Sequence, residues 1–191
     1  MHATYEEFIA HGHGKLGPWF DLVNSEEWDT FGRRTEHFQN PAWLPFFLRR
    51  WEFAKPPGKA FPVAKWTRCR ATLRSICEAA AKQKSIRPAD VRALNQALNV
   101  GGTRQVREGQ NGFQLEFVSA TSGWDNVLAE TVRSFAEILA NGELARIKIC
   151  RNPHCRWVFY DQSKAQSRCW CDDKLCGNRE RVRRARLRHS H

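Results

Sequence analysis

The sequence predicts an α+β protein that is mainly α: a helical N-terminal domain with one small antiparallel β-hairpin, followed by a small cysteine-rich module. Three observations carry this. Apolar residues recur at three-and-four spacing along several segments, as in helices with one buried face. Strict alternation is confined to one stretch around an Asn-Gly pair. Five of the seven cysteines crowd into residues 150–176. A chain of 191 residues has room for one ordinary domain plus an appendage. With 41% hydrophobic residues, eight Trp and twelve Phe, it can bury a real core, so disorder is not expected.

Taken in order, Tyr5 to Ala10 reads as a short helix. FDLVNSEEW (20–28) holds an apolar run followed by the capping-type residues Asn24 and Ser25. AWLPFFLRRWEFA (42–54) is aromatic-rich and helical, with Pro45 tolerated near the first turn. KPPGKAFP (55–62) is a loop. VAKWTRCRATLRSICEAAAKQ (63–83) gives the clearest helix of the first half, its buried face formed by Trp66, Cys69, Leu73, Ile76, Cys77 and Ala80. Cys69 and Cys77 are read there as small hydrophobes of the core. Pro88 fits the first position of a helix over PADVRALNQALN. RQVREGQNGFQLEFVS (104–119) reads as a hairpin around Asn111-Gly112, with Phe113, Leu115 and Phe117 alternating with polar residues. TSGWDNVLAETVRSFAEILANG (121–142) is a long amphipathic helix, capped by Thr121 or Ser122 and ended by Gly142. Gly142 marks the expected boundary between a body (1–143) and a C-terminal module (144–191).

No run of eighteen apolar residues is present, so no membrane span is expected, and the N-terminal stretch with Glu6 and Glu7 does not read as a secretory signal. The expected location is the cytoplasm, where thiols stay reduced. Closely spaced cysteines there point to metal rather than disulfides.

The module has the spacing Cys150-x4-Cys155, fifteen residues, Cys171-x4-Cys176. Two paired loops separated by fifteen to twenty residues form the general pattern of a four-cysteine Zn2+ site. Four thiolates leave no open coordination position, so one structural ion is expected, substituting for a core that so small a module cannot build. The segment between must fold back: Trp157 to Tyr160 as a strand, DQSKAQS as a turn, Arg168 to Trp170 as a return strand. In such a strand Cys169 and Cys171 point to the same side, so geometry alone leaves Cys169 open as the fourth ligand. The matched loop lengths favour Cys171. His154 reads as a loop residue, and Asp172 and Asp173 as helix-start residues.

Beyond the cysteines, six of the ten residues Arg179 to Arg188 are arginine. From Cys150 onward eleven Lys and Arg face four Asp and Glu, which is +7 of the chain's +11. Read as a helix capped by Asn178, this segment lines Arg179, Arg183 and Arg186 on one side and Arg181, Arg184 and Arg188 on another. Little apolar face remains for a membrane surface. Guanidinium forks suit phosphate, which makes a polyanion the expected partner.

At these residues the chain resembles bacterial proteins with a C-terminal CGNR zinc finger. Cys176-Gly177-Asn178-Arg179 is the naming tetrapeptide, and CRNPHCRWVFYDQSKAQSRCWC and RVRRARLR resemble the rest of that finger. FDLVNS, TLRSICEAA, ADVRALNQALN and NGELARIKIC resemble the ABATE domain that usually precedes it. The resemblance implies a treble-clef-like finger, Cys150, Cys155, Cys171 and Cys176 as zinc ligands, and Cys169 as a bystander at a position where the family usually has Arg. It also implies that Gly177 allows close backbone approach at the metal, that Asn178 caps the helix, and that the protein is a stress-responsive transcription regulator. CDDKLC is more acidic than the usual loop, which argues against phosphate contact there.

The expected function is therefore DNA binding through Arg179, Arg181, Arg183, Arg184, Arg186 and Arg188. RNA is a variant, and a zinc-stabilised protein-interaction module is the alternative. The body is a candidate for a small-molecule ligand or a protein partner, although its aromatics fit an ordinary core. Catalysis is not expected: His11, His13, Asp21 and His37 are isolated titratable residues without a recognisable arrangement.

Overall fold

The structure is a computed structural model that describes residues 16–54, 56, 60–99, 102–109, 112–119 and 123–189. The expected helix at Tyr5–Ala10, His11, His13, the caps Thr121 and Ser122, and positions 55 and 57–59 of the expected loop lie outside these residues.

The order of elements is α1 (Pro18–Val23), β1 (Glu26–Trp28), β2 (Arg34–Glu36), a 3-10 turn (His37–Gln39), α2 (Trp43–Arg50), α3 (Val63–Ala81), α4 (Pro88–Leu98), β3 (Gly102–Gly109), β4 (Gly112–Ser119) and α5 (Trp124–Ala140). A 3-10 turn (Glu143–Arg146), β5 (Ile147–Ile149), β6 (Val158–Tyr160), a wide π-type turn (Asp173–Gly177) and α6 (Asn178–His189) follow. Among the described residues the strands pair as three separate antiparallel hairpins, β1 with β2, β3 with β4 and β5 with β6.

Most expected elements form where the apolar spacing puts them. Pro88 opens α4, and Pro45 sits in the first turn of α2, where a missing N–H is harmless. Helix α5 ends at Asn141, with Gly142 in the left-handed region at φ 71. The β3–β4 register pairs Gly109 with Gly112, so Gly112 belongs to a strand and not to the turn. The expected return strand at Arg168–Trp170 does not form. The partner of β6 is instead β5, the IKI segment before the first cysteine, with Ile147 opposite Tyr160 and Ile149 opposite Val158. Arg168 to Trp170 is used differently: the Arg151 N–H donates to the Cys169 carbonyl at 3.0 Å.

Helix α3 is the axis of the body. Trp66, Leu73, Ile76 and Cys77 are fully buried, as the spacing requires. Arg70 and Arg74 share that face, and both are buried. Arg70 is satisfied in place, and Arg74 is held through its two terminal nitrogens while its buried Nε finds no acceptor among the described residues. Arg70 grips Glu36 through two bonds of 2.7–2.8 Å and reaches Ser25 Oγ at 2.9 Å. Arg74 donates to the carbonyls of Val23 (2.8 Å) and Arg156 (3.0 Å). A buried guanidinium needs this many acceptors, because an unpaired one would carry a large desolvation penalty.

Aromatic rings fill the centre. Trp66 is packed edge-on by Phe47, Phe61 and Trp124, and Trp19 lies 5.0 Å from Phe135. This core continues without interruption into the C-terminal segment, taking in Ile147, Trp157, Val158 and Phe159 together with Cys150, Cys155, Cys171 and Cys176. Phe20 meets Trp157 at 6.2 Å. Asn24, fully buried, closes a two-way bond with β6: its Nδ2 donates to the Val158 carbonyl (3.1 Å) and its Oδ1 accepts the Val158 N–H (3.0 Å). Asn24 is the C-terminal cap of α1. Cys69 and Cys77 are ordinary core, and burial pushes both thiols up to about 12, which leaves them unreactive.

Asp21 and His37 are structural too. Asp21 is fully buried, accepts the Trp51 indole N–H at 2.7 Å and faces Arg50 at 3.3 Å, while His37 meets Glu27 at 2.9 Å. Burial raises the Asp21 carboxyl to about 6 from its ordinary 3.8, against the opposing pull of Arg50 and Trp51.

Two predictions follow from this packing. Asn24→Ala strands the Val158 N–H and carbonyl in an apolar setting and should lower stability by about 2–4 kcal/mol, measured by denaturant unfolding. Because the folded-state Asp21 value lies above the unfolded one, its stabilising contribution is present below about pH 4 and is lost as pH rises through about 6. Relative to Asp21→Asn, the wild type should therefore lose about 1 kcal/mol between pH 5 and pH 7, a shift readable in paired thermal melts.

Candidate metal centre

The metal centre is assembled from two turns that the β5–β6 hairpin and the start of α6 hold against each other. Cys150 follows β5 directly, and its N–H donates to the Trp157 carbonyl at 2.9 Å, which closes the loop 150–157 across the hairpin. Within that loop Asn152 forms an Asx turn, its Oδ1 accepting the His154 N–H at 3.1 Å, and the Cys155 N–H returns to the Asn152 carbonyl at 3.1 Å. On the other side, Asp172 caps the coming helix by accepting the Leu175 N–H at 2.8 Å. The chain then winds through the π-type turn Asp173–Gly177 straight into α6. Cys176 is consequently carried inside the first turns of a helix and not in front of it.

These turns bring together the sulfurs of Cys150, Cys155, Cys171 and Cys176, all buried and all within 4.8 Å of one another. Cys155 and Cys171 are 3.5 Å apart, and Cys171 and Cys176 are 3.8 Å apart. With a Zn–S bond of about 2.3 Å, the edge of a tetrahedral sulfur set is about 3.8 Å. The four positions therefore fit one structural zinc ion. Cys169 stands outside the set: it is partly exposed, and its thiol donates to the Ser167 carbonyl at 3.3 Å.

Electrostatics favours the same fit. The Cys150 thiol is held far below the ordinary range, first by Cys155 and then by Cys171 and Cys176, whereas Cys155 and Cys171 are pushed far above it, first by Cys150. Sulfurs this close cannot all ionise in an apolar pocket unaided, and a divalent cation removes that conflict. Four thiolates around Zn2+ still leave a net −2. The Asn152 Nδ2 donates to the Cys176 sulfur at 3.5 Å, which spreads part of that charge.

A second hub stiffens the segment between the loops. Asp161, fully buried, accepts Lys148 Nζ (2.9 Å), the Ser163 hydroxyl (2.6 Å) and the N–H groups of Ser163 and Arg168 (3.0 and 2.9 Å). Burial alone would raise this carboxyl, but these donors hold it well below the carboxylate range. Arg168 in turn lies over the Phe159 ring at 5.1 Å and donates to the carbonyls of Trp170 (2.8 Å) and Cys171.

Two expected roles are corrected here. Asn178 has helical backbone angles, φ −63 and ψ −43, so it is an interior residue, and the cap is Asp172. Gly177 is small for a different reason than access to the ion. A Cβ there would lie 2.5 Å from Asp173 Oδ1 and 3.1 Å from Trp170 Cδ1, so the closely approaching groups are these side chains. Asn152, Asp161 and Arg74 are not singled out by the sequence, and Asn24 is legible only as a capping residue, not as the partner of Val158. Asn152 has a local signal, an Asx-turn former inside a metal-ligand loop. Asp161, Arg74 and the Asn24–Val158 bond depend on contacts distant in the chain.

Helix α6 forms over the whole arginine run. Arg181 pairs with Asp173 at 3.0 Å, and Arg183 and Arg184 both reach Glu180 at 2.7–2.9 Å. These pairs are more than half exposed on the arginine side, and such pairs contribute little stability. Arg179 lies over the Phe31 ring. The arginines therefore stay at the surface of a rooted helix. Among the described residues, no helix is long and apolar enough to cross a membrane.

Two family matches coincide with this architecture. Residues 146–189 match the CGNR zinc finger, the segment from the edge of β5 to the end of α6. Residues 16–142 match the ABATE family, described as "Putative stress-induced transcription regulator". No curated protein matches the chain. With the first match placed on the sulfur cluster and the second spanning more than half of the sequence, the chain belongs to the ABATE family and carries a CGNR zinc finger.

Proposed function

We propose that this protein is a nucleic-acid-binding transcription regulator in which zinc, held by Cys150, Cys155, Cys171 and Cys176, roots an arginine-rich helix for contact with DNA. The observation that carries the reading is the junction at Cys176. One proposed ligand lies within the turn that starts α6, so the ion fixes both the origin and the direction of a helix whose outer surface is guanidinium. The regulator description of the ABATE family is consistent with it.

In this reading Arg179, Arg181, Arg183, Arg184, Arg186 and Arg188 supply phosphate contacts, and specificity comes from whichever side chains reach base edges. The carboxylates Asp173 and Glu180 hold Arg181, Arg183 and Arg184 extended in the free protein. Exchanging the exposed Asp173 carboxylate for a phosphate loses little, because surface pairs are weak and a bidentate phosphate contact is stronger. The zinc is structural: its chemistry is to hold four thiolates together, with no open position for substrate. No catalytic role is assigned to the body.

A protein-docking reading draws on the exposed apolar residues of the helix, Val182 (42% exposed) and Leu187 (52% exposed). They are separated by arginine at nearly every step, which suits a polyanion better than an apolar groove. Competition by unrelated duplex DNA against any captured partner distinguishes the two.

Two measurements test the proposal. Metal analysis of purified variants should show that Cys171→Ser loses zinc and the fold of the finger, while Cys169→Ser keeps both. Equal retention in both variants would overturn the ligand assignment. With about four arginines on phosphates, log K for duplex DNA should fall against log salt with a slope of about −3.6. Affinity that hardly changes between low and moderate salt would remove the electrostatic interface.

A further inference from the structure

The β1–β2 hairpin of the body runs along the zinc finger and meets it at three places. Trp28 lies under the Arg156 guanidinium, 4.4 Å from the ring centroid. Gly32, at φ 86, approaches the metal-ligand loop so closely that a Cβ would stand 3.2 Å from His154 Nδ1. Phe31, at the tip, lies under Arg179, with the guanidinium carbon 3.9 Å from the ring centroid.

Trp28 is half-buried, whereas Phe31 is 63% exposed. Its position is nevertheless fixed. Asp29 Oδ1 accepts the N–H groups of Phe31 (2.8 Å) and Arg33 (2.9 Å), Asp29 Oδ2 takes Arg33 Nε (2.7 Å), and the Gly32 N–H closes the turn onto the Asp29 carbonyl (3.0 Å). These contacts hold the Asp29 carboxyl at about 2, burial opposing the shift and Arg33 together with the Phe31 N–H driving it. The turn thus neutralises its own acid with Arg33, whose guanidinium lies 5.7 Å from the ring centroid, and presents the ring beside the cation of Arg179. A guanidinium lying over an aromatic ring is an ordinary cation–π arrangement. A ring so held, beside a row of phosphate-binding groups, is also the element on which single-stranded nucleic acid stacks its bases.

We propose that Phe31 and Arg179 together form a base-stacking platform, through which the body as well as the finger contacts an unpaired nucleotide of a bound strand. The inference rests on the nucleic-acid reading above and extends it to a residue outside the zinc finger. The partner is fixed by the chemistry: the remaining arginines of α6 track the phosphates, and Phe31 offers a π-face that tolerates any base.

The test uses the full chain with two probes, an oligothymidylate of about 20 nucleotides and a duplex of the same length, with zinc content and melting temperature measured alongside. Phe31→Ala should bind the single strand roughly 5- to 100-fold more weakly. The salt slope should not change, because no charge is removed. The duplex, whose bases are already stacked, should be bound as before. Phe31→Trp should restore the single-strand affinity, and Phe31→Leu, which keeps apolar bulk without a π-face, should not. If Phe31→Ala also sheds zinc, the Leu and Trp variants compared at full zinc content decide the matter. Wild-type affinity in Phe31→Leu, or an equal loss on both probes, overturns the platform. A wild-type protein that binds neither probe overturns the nucleic-acid reading itself.

Discussion

Four buried sulfurs within 4.8 Å of one another are the constraint on which the C-terminal structure depends. Four thiolates this close cannot share an apolar pocket without a compensating cation, so the ionised set and the metal require each other. Everything attached to the sulfurs inherits their position. The β5–β6 hairpin fixes Cys150 and Cys155, the Asp172 cap and the turn behind it fix Cys171 and Cys176, and α6 leaves from that turn without a joint. A helix of such charge, with few apolar residues of its own, has little intrinsic reason to stay ordered in water. Its order derives from the end at which it is anchored.

The second constraint is the common core. Trp157, Val158 and Phe159 lie between the two cysteine pairs, yet α1 of the body packs against their strand and α3 lies against the neighbouring β5. Phe20 covers Trp157, Asn24 satisfies Val158, and Arg74 holds the Arg156 carbonyl. The aromatic residues of the finger thus complete the interior of its neighbour. The two matched families meet within one packed interior, which includes the four ligand cysteines.

Much of this was legible in the sequence because it is written locally. Helices α3, α4 and α5 follow apolar periodicity with Pro and Gly at their ends, and the ligand spacing alone brought Cys150, Cys155, Cys171 and Cys176 together. What could not be read depends on distant partners. The strand partner of Val158–Tyr160 lies before the first cysteine, and β-pairing between short strands carries no local signal. Arg70 and Arg74 read as polar, yet they face inward because acceptors on β2, α1 and the finger wait there. Asn178 is a good capping residue by type, but Asp172, which the sequence also offers as a helix-start residue, caps the turn six positions earlier and takes that role.

The reciprocal bond between Asn24 and Val158 bears on how such proteins can be rearranged. A finger excised at the family boundary would leave Trp157, Val158 and Phe159 in water, and a body without its finger would leave Asn24 and Arg74 with unanswered donors. Recombining one body with another's finger would therefore succeed only where the graft carries matching shapes and acceptors across that seam. The two segments are built to be inherited as a pair, unlike beads that can be restrung in any order.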